Sequence, residues 1–408
     1  FINHVGSLTN SSSGTGSFTL SGTIGSNVTG FTQNSTTSVT IFSGSGGLTG
    51  PTTITSGTVR VQSANASTAG LALRNSTIVL NSAAGAMQFV TGTAFTIGGL
   101  SGDQPLVLSN TAGTAIALTV GNNGSSNTFS GAISGAGRLV KTGTGVWDLQ
   151  GVNTYSGTTT INAGRFLVSN AGDLSNTARV VVAGSGADFR WNSSTAFTRP
   201  LTMTQGTISG TGTISASGGV SIGANAILSP GNSPGAQTYT TGLTLSPGGS
   251  YLWEIKSGTG TAGSSWDLID VTGGGLDLTG LSGTSQFILD LTTLTASGSS
   301  GPMDNYVAGQ SYTWRIFDAD TLTLPAAFGS SPYAAGTDVT SLFSLVTTNW
   351  KNAIPDPGNV SVKVASNGTG LDLVVVPEPA TIALAGIGVA LGAYAIRRRQ
   401  GRRESAAG

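Results

Sequence analysis

The chain has 408 residues, of which 63 are glycine and only 8% are charged, while hydrophobic residues make up 38%. That apolar content is too high for a disordered chain, so we expect a folded protein whose core is spread thinly along the sequence. The absence of cysteine excludes disulfides and thiolate metal sites. The 12 basic and 15 acidic residues before position 377 argue against a nucleic-acid partner, which would need a basic face.

The first residues of the chain contain no convincing catalytic or metal-binding side chain. The sequence begins with Phe1 and shows no secretory leader pattern, as expected of a processed chain or of a piece of a longer one. The one histidine, His4, lies in a polar stretch, and we interpret it as a solvated side chain rather than as part of a triad or zinc site. We therefore predict neither a metal site nor a cofactor.

Short glycine-containing segments recur through the first part of the chain. Residues 131–137 resemble residues 206–212, and residues 53–61 match residues 160–168, at irregular spacings. In the last of these segments, short β-prone stretches flank an Asn-Ala-Gly turn that ends at Gly164. Glycine suits such corners because it adopts positive φ without a steric cost.

These repeats predict an all-β fold. A single unit is too small to bury its own apolar face, so the units must stack, and no stretch before Ala380 has a helical apolar period. For residues 1–245 we predict a right-handed parallel β-helix, with Val, Ile and Leu inside and coils that rise by about 4.8 Å. A string of β-sandwiches is the alternative.

One segment resembles a known family closely. Residues 128–164, which include Lys141, Trp147, Asn153 and Tyr155, resemble the autotransporter-associated β-strand repeat, also called the passenger-associated transport repeat. The resemblance implies a β-helical passenger rod on the cell surface. Weaker copies occur around residues 42–61 and 97–102.

The sequence changes character after residue 245. Aromatic residues become denser, as in Tyr251–Ile255 and Trp266–Val271, and proline becomes commoner. We interpret residues 246–373 as a C-terminal β cap or a small β-sandwich, because a solenoid needs its open end protected.

Carboxylates are the candidates for a catalytic site in a β-helix, because polysaccharide lyases and hydrolases cluster them on one face. Asp267 and Asp270 are three positions apart, so in a strand they point to opposite faces. Asp318 and Asp320 would share a face and could bind a cation, although we favour a solvated strand end. We therefore predict no catalytic residue and no enzyme activity.

The clearest local signal lies in the tail, residues 374–408. Pro377, Glu378 and Pro379 precede an uncharged run over residues 380–396, and a basic cluster follows, made of Arg397, Arg398, Arg399, Arg402 and Arg403. As a helix this run would reach roughly 25 Å, close to the ~30 Å hydrocarbon core of a bilayer. We predict a single transmembrane helix whose arginines stay on the cytoplasmic side.

The order of Pro-Glu-Pro, apolar helix and arginine cluster resembles the PEP-CTERM sorting signal. The resemblance implies recognition and cleavage by an exosortase-type membrane protease, an inner-membrane-anchored precursor, and export to the cell surface or the extracellular matrix.

Repeats and tail together predict an exported structural or adhesive surface protein of a bacterium, associated with exopolysaccharide. Trp147, Trp191 and Tyr155 are candidates for stacking on sugars, although packing inside the β-helix is the interpretation that we favour. A carbohydrate-active β-helix enzyme is the alternative function, and converging carboxylates and basic residues in a groove would support it.

Overall fold

The computed structural model describes residues 1–45, 47–63, 71–352 and 359–376. In these ranges the chain is a parallel β-solenoid of about ten turns, in which strands of successive turns lie side by side. The predicted all-β parallel β-helix is therefore confirmed. The predicted transmembrane helix over residues 380–396 falls outside the described residues.

Each turn of the solenoid contributes strands to up to three faces. The first face is one sixteen-stranded sheet. Its strands are β1 Gly6–Asn10, β2 Ser17–Leu20, β3 Val28–Phe42, β4 Thr52–Gln62, β5 Thr77–Leu80, β6 Gly85–Val90, β8 Gly99–Gly102, β11 Asn127–Phe129, β14 Trp147–Leu149, β16 Gly164–Asn170, β18 Ala187–Ser193, β20 Gly206–Gly210, β23 Ala226–Pro230, β26 Ser250–Ile255, β29 Phe287–Thr293 and β32 Phe343–Val346.

The second face consists of a six-stranded sheet followed by a four-stranded one. The six strands are β7 Ala94–Ile97, β10 Ala117–Val120, β13 Arg138–Lys141, β15 Thr159–Ile161, β17 Val180–Val182 and β19 Leu201–Met203. The four strands are β22 Val220–Ile222, β25 Leu243–Leu245, β28 Leu276–Asp277 and β31 Leu322–Thr323.

The third face consists of a two-stranded sheet followed by a six-stranded one. Its strands are β9 Leu106–Val107, β12 Ile133–Ser134, β21 Thr213–Ile214, β24 Ala236–Tyr239, β27 Leu268–Val271, β30 Tyr312–Ala319, β33 Val360–Val364 and β34 Leu371–Val375. Two short 3-10 helices, η1 Ala326–Phe328 and η2 Thr340–Leu342, lie in connections between strands of the described part.

The core forms because side chains alternate along every strand and each inward side chain stacks on the same position of the next turn. β18 alternates buried and half-buried residues over its whole length. On the first face, Trp147 lies beside Phe166, which lies beside Phe189 in the following turn. All three rings are 1% exposed or less. The contact of each turn with its neighbours, rather than contacts within a turn, buries most of the apolar surface.

Glycine at the corners lets neighbouring turns approach closely. Gly164, which begins β16, has φ +63°, and a Cβ there would lie 2.4 Å from the carbonyl oxygen of Gly143 in the previous turn. The matching glycine of the earlier repeat, Gly57, has φ +73°. The turn predicted at Gly164 is therefore found, and the two matched segments place glycine in the same left-handed region.

Parallel pairing continues beyond residue 245. β26 pairs with β23 on one side and β29 on the other, and β29 pairs with β32. The change in sequence character comes from longer connections: Trp147, Phe166 and Phe189 follow one another at intervals of 19 and 23 residues, whereas Tyr251, Leu289 and Leu345 follow at 38 and 56.

The described residues end in an antiparallel pair. β34 pairs antiparallel with β30 and with β33, unlike the parallel strands before it. These strands belong to the sheet of the third face, so they are continuous with the solenoid, and the interpretation of residues 246–373 as a cap or a β-sandwich stays a prediction. The boundaries at residues 245 and 373 stay predictions.

Candidate functional site

The turn that matches the passenger repeat places a lysine inside the solenoid. Lys141 follows Leu139 by two positions in β13, so both side chains point inward. It stacks between Val120 and Ile161 of the neighbouring turns and is 1% exposed. Its ammonium donates hydrogen bonds to the carbonyl oxygens of Thr142, Gly143 and Ala163 at 2.6, 2.9 and 3.0 Å. The lysine therefore ties two successive corners together.

Burial lowers the pKa of Lys141 from 10.5 to about 8. In the unfolded chain the ordinary pKa returns, so between about pH 8 and 10.5 the unfolded state binds more protons than the folded state. Stability should therefore rise with pH across this window, by up to about 3 kcal/mol. Urea unfolding of the wild type and Lys141→Met at pH 7 to 10.5 tests this.

The control for this titration is Lys351→Met, because Lys351 is exposed. We expect Lys351→Met to keep the wild-type pH dependence and Lys141→Met to lose the rise. Burial raises the pKa values of tyrosines such as Tyr155 and Tyr239, so these residues also make stability depend on pH. Their contribution is the same in the wild type and in Lys141→Met, and it cancels when the two pH profiles are compared. Parallel pH profiles for the wild type and Lys141→Met would show that Lys141 does not titrate in this window.

A second buried polar group lies in the same repeat. Asn153 is 1% exposed. Its Oδ1 accepts a hydrogen bond from the backbone N–H of Ile133 at 3.0 Å, and its Nδ2 donates to the carbonyl oxygens of Gly151 and Asp173 at 2.7 and 3.2 Å. Asn153 thereby connects three turns of the solenoid. In this part of the third face the sheet has only two strands, so the side chain supplies hydrogen bonds that backbone pairing does not.

The aromatic candidates for sugar stacking are buried. Trp147 and Tyr155 are 1% exposed, and Trp191 is fully buried. The Trp147 indole N–H donates to the carbonyl oxygen of Leu100 at 3.2 Å, and the Tyr155 hydroxyl lies 2.5 Å from that of Thr159. The possibility that these rings contact sugars is therefore wrong, because each ring fills the interior of a turn, as the favoured packing interpretation predicted.

Asp267 and Asp270 point to opposite sides of the third face. Asp267 is fully buried, and its carboxylate accepts hydrogen bonds from the backbone N–H groups of Gly235 and Glu254 at 2.7 and 3.0 Å. Burial raises its pKa well above the usual value, against the effect of these two bonds. It connects β26 with the start of β24 and is out of reach of a ligand. Asp270 is half-buried on the outside.

The outward carboxylates of the third face do converge across turns. Asp270 in β27 is the direct neighbour of Asp318 in β30. The pKa of Asp270 is raised by partial burial and by the nearby charges of Asp318 and Asp320. Asp318 is itself paired with Arg315, whose Nη1 lies 2.5 Å from Oδ1, and Arg315 also contacts Asp372 at 2.6 Å. The sequence could not reveal the Asp270–Asp318 pair because it joins residues 48 positions apart.

Metal binding finds no support in the described ranges, which contain no group of three or more histidine or acidic residues placed to hold an ion. Asp318 lies in β30 and Asp320 is exposed just after it, so the pair marks the end of a strand. His4 is also exposed and contacts the carbonyl oxygen of Ser7 at 3.3 Å.

Charged groups on the outside of the first face form a connected row. Arg165 pairs with Asp188 at 2.6 Å. Asp188 also accepts a hydrogen bond from the Ser209 hydroxyl at 2.6 Å, and Ser209 accepts one from Arg190 at 3.0 Å. The four side chains form hydrogen bonds with one another across three turns. The row therefore lies on the outer surface of the solenoid and contains no unpaired group that could act in catalysis.

The sorting motif begins where the described residues end. Val375 is the last residue of β34 and is buried, whereas Val376 is 40% exposed. The next residues, Pro377, Glu378 and Pro379, and the five arginines of the basic cluster lie outside the described residues, and so does the predicted membrane helix. Within the described ranges no helix has the length and apolar character needed to span a membrane.

Comparison with known proteins agrees with both resemblances. The family model for the passenger-associated-transport-repeat matches residues 139–168, and the model for the PEP-CTERM protein-sorting motif matches residues 375–399. The chain is also similar to the adhesin BmaC autotransporter of Brucella suis biovar 1 (strain 1330), with 30% identity over 161 residues.

The match to this adhesin covers 39% of the chain and 4% of the adhesin's own length. The sorting motif, the passenger repeat and the similarity to an adhesin together support the conclusion that this is an exported surface protein. The chain carries a passenger-associated-transport-repeat on a parallel β-solenoid, followed by a PEP-CTERM protein-sorting motif.

Proposed function

We propose that the chain is a structural or adhesive protein of the bacterial cell surface or extracellular matrix, sorted through its C-terminal signal and associated with exopolysaccharide. In this proposal residues 1–245 and the cap of residues 246–373 form the displayed rod. Residues 374–408 form the sorting tail, with Pro377, Glu378 and Pro379 as its processing motif.

The observation that carries the proposal is the sorting motif at residues 375–399, whose second residue, Val376, is exposed. A protease needs its target outside the packed core, and this last described residue lies at the surface. The proposed partner is an exosortase-type membrane protease. The precursor is anchored in the inner membrane through residues 380–396, and Arg397, Arg398, Arg399, Arg402 and Arg403 remain on the cytoplasmic side.

An adhesive rather than catalytic role fits the wall of the solenoid. On the first face Arg165 is paired with Asp188, and the aromatic rings named above are inside the solenoid. The adhesin relative supports the same role, although it shares only part of this chain. Neutral polar side chains cover most of the remaining wall, which suits contact with hydrated glycans through hydroxyl and amide groups.

The enzyme alternative has one observation in its favour, the neighbouring Asp270 and Asp318 beside Arg315 on the third face. A raised pKa next to a charge-paired carboxylate is an arrangement that glycoside hydrolases use. Release of reducing ends from a polysaccharide by the wild type, but not by Asp318→Asn, would favour the enzyme over the adhesive role.

The fate of an epitope-tagged chain in its bacterial host tests the proposed sorting. We expect the wild type to reach the surface or medium when the exosortase is present and to stay in the inner membrane when it is deleted. Glu378→Ala combined with substitution of Arg397, Arg398 and Arg399 by glutamine should stay in the membrane in both hosts, because recognition and orientation are both weakened. Fractionation and immunoblotting give the readout.

The matched control for this experiment is Glu404→Ala, which removes a glutamate of the same tail outside the motif. It should travel as the wild type does. Equal surface delivery of the wild type and the motif variant, in hosts with and without the protease, would refute the proposed sorting route.

A further inference from the structure

A concave groove runs along the corner where the second face begins. Its cavity of about 360 Å³ crosses four successive turns of the solenoid. The residues that line it are mostly small, among them Ala115, Ala117, Ala136, Gly137 and Gly157. Because small side chains leave the backbone uncovered, the groove has depth in a wall that is otherwise covered by side chains.

One exposed arginine lines this groove, and a second lies one turn beyond its last lining residues. Arg138 lines the cavity and is exposed, and Arg179 is exposed two turns further on. The backbone hydrogen bonds fix this order: the Leu139 N–H donates to Thr158 O at 3.1 Å, and the Thr159 N–H donates to Arg179 O at 3.0 Å. At one inter-strand spacing per turn, the two arginine positions are roughly 10 Å apart along the solenoid.

A third arginine lies close to this row but one position out of its register. Arg199 lies one turn beyond Arg179, directly before Pro200, whose carbonyl oxygen accepts the Val180 N–H at 2.9 Å. Its Nε donates to the carbonyl oxygen of Thr177 at 2.7 Å, which fixes part of the side chain.

The charges of Arg138 and Arg179 are not neutralised by the protein. Among the described residues neither arginine has a carboxylate within ion-pair distance. None of the residues that line the cavity is acidic. The positive charge is local, since the sequence before residue 377 has more acidic than basic residues. Arg165 and Arg315 are by contrast paired with aspartates, and Arg60 and Arg190 donate hydrogen bonds to neutral side chains.

We infer that this arginine groove binds the carboxylate groups of an acidic polysaccharide, an assignment that rests on the proposed function. A guanidinium presents parallel N–H donors that match a carboxylate, which gives geometry as well as charge. A groove that follows the solenoid axis suits a linear polymer, and arginines on separate turns can meet acidic groups on separate sugars. The hydroxyls of Thr93 and Thr158, which also line the cavity, suit sugar hydroxyls.

A lipid surface is the less suitable anionic partner. Binding of a membrane by charge uses a cluster of several basic residues on a surface that faces the bilayer. In this part of the solenoid the basic residues are few, and Arg138 lies in a concave groove between alanine and glycine residues. A polymer thin enough to enter the groove satisfies the geometry, and a bilayer does not.

Binding of the full chain, purified in detergent, to polygalacturonate and to neutral dextran tests the inference. We expect the wild type to bind polygalacturonate, with an affinity that falls as salt rises, and to bind dextran more weakly. Arg138→Ala combined with Arg179→Ala should raise the Kd for polygalacturonate about tenfold, since exposed ionic contacts contribute little each. Arg138→Lys combined with Arg179→Lys should recover part of the loss.

The control variant is Arg74→Ala, which removes an exposed arginine outside the groove and should bind as the wild type does. Unchanged circular dichroism of the double alanine variant separates lost binding from lost folding. Equal affinity of wild type and double variant for polygalacturonate would overturn the groove assignment, and so would a double variant that loses binding to phosphatidylglycerol vesicles as strongly as binding to polygalacturonate. Either result leaves the proposed sorting untouched, because that is decided by fractionation of the tagged chain.

Discussion

Replacement of Phe189 by alanine is expected to lower the free energy of unfolding by about 3–5 kcal/mol. Phe189 is fully buried in β18, and its ring lies 5.2 Å from Phe197, 6.0 Å from Trp191 and 6.4 Å from Phe166. Phe189 also lies beside Ile208 of the following turn, so it contacts its own turn and both neighbouring turns, and a cavity at this position removes contacts on every side. Urea unfolding followed by tryptophan fluorescence measures the effect.

The matched control is Val152→Ala, because Val152 is 54% exposed on the third face. Its loss should change the free energy of unfolding by no more than about 0.5 kcal/mol. Similar unfolding midpoints for Phe189→Ala and Val152→Ala would contradict the stacked aromatic core. A long solenoid need not unfold in one step. The two variants should therefore be compared in the unfolding transition that is reported by Trp191, the tryptophan in contact with Phe189.

Removal of the Asn153 side chain has the second largest expected effect. In Asn153→Ala the Ile133 N–H loses its hydrogen-bond partner inside the solenoid, and the Gly151 and Asp173 carbonyl oxygens each lose a donor. We expect a loss of about 3 kcal/mol, since an unsatisfied buried group costs about 1–3 kcal/mol. Thermal unfolding monitored by circular dichroism gives the measurement.

The control for this variant is Asn176→Ala, an exposed asparagine in the next turn. A Tm close to that of the wild type is expected for it. If the two asparagine variants melt together, Asn153 contributes no more than a surface amide, and the account of the third face is wrong.

The repeated turns were predictable because their signals are local. The corner at Gly164 follows from Asn-Ala-Gly between two β-prone stretches, and the structure gives that glycine a positive φ. The inward position of Lys141 could also have been predicted, because it follows Leu139 at strand spacing in a strand with an inward leucine.

Contacts between turns were not predictable, because they depend on register. Asp270 lies beside Asp318 only because β27 and β30 pair directly across a long connection. The lengths of the turns vary, so a sequence interval does not identify the neighbour in the next turn. The same dependence on register explains why Arg138 and Arg179, which are 41 positions apart, occupy the same position two turns apart. The antiparallel pairing of β33 and β34 did have a local signal, because Asn367 and Gly368 lie in a short loop between two stretches that alternate apolar and polar residues.

The mass of the chain recovered from the cell surface or medium is the measurement that tests the account most directly. Peptide mapping by mass spectrometry identifies its last residue. We predict that it lies between Val375 and Pro379, at the sorting motif, so that the solenoid is released without the apolar run and the arginine cluster. Surface-exposed chains that still contain Arg397, Arg398 and Arg399 would contradict processing at this motif and the proposed route to the surface.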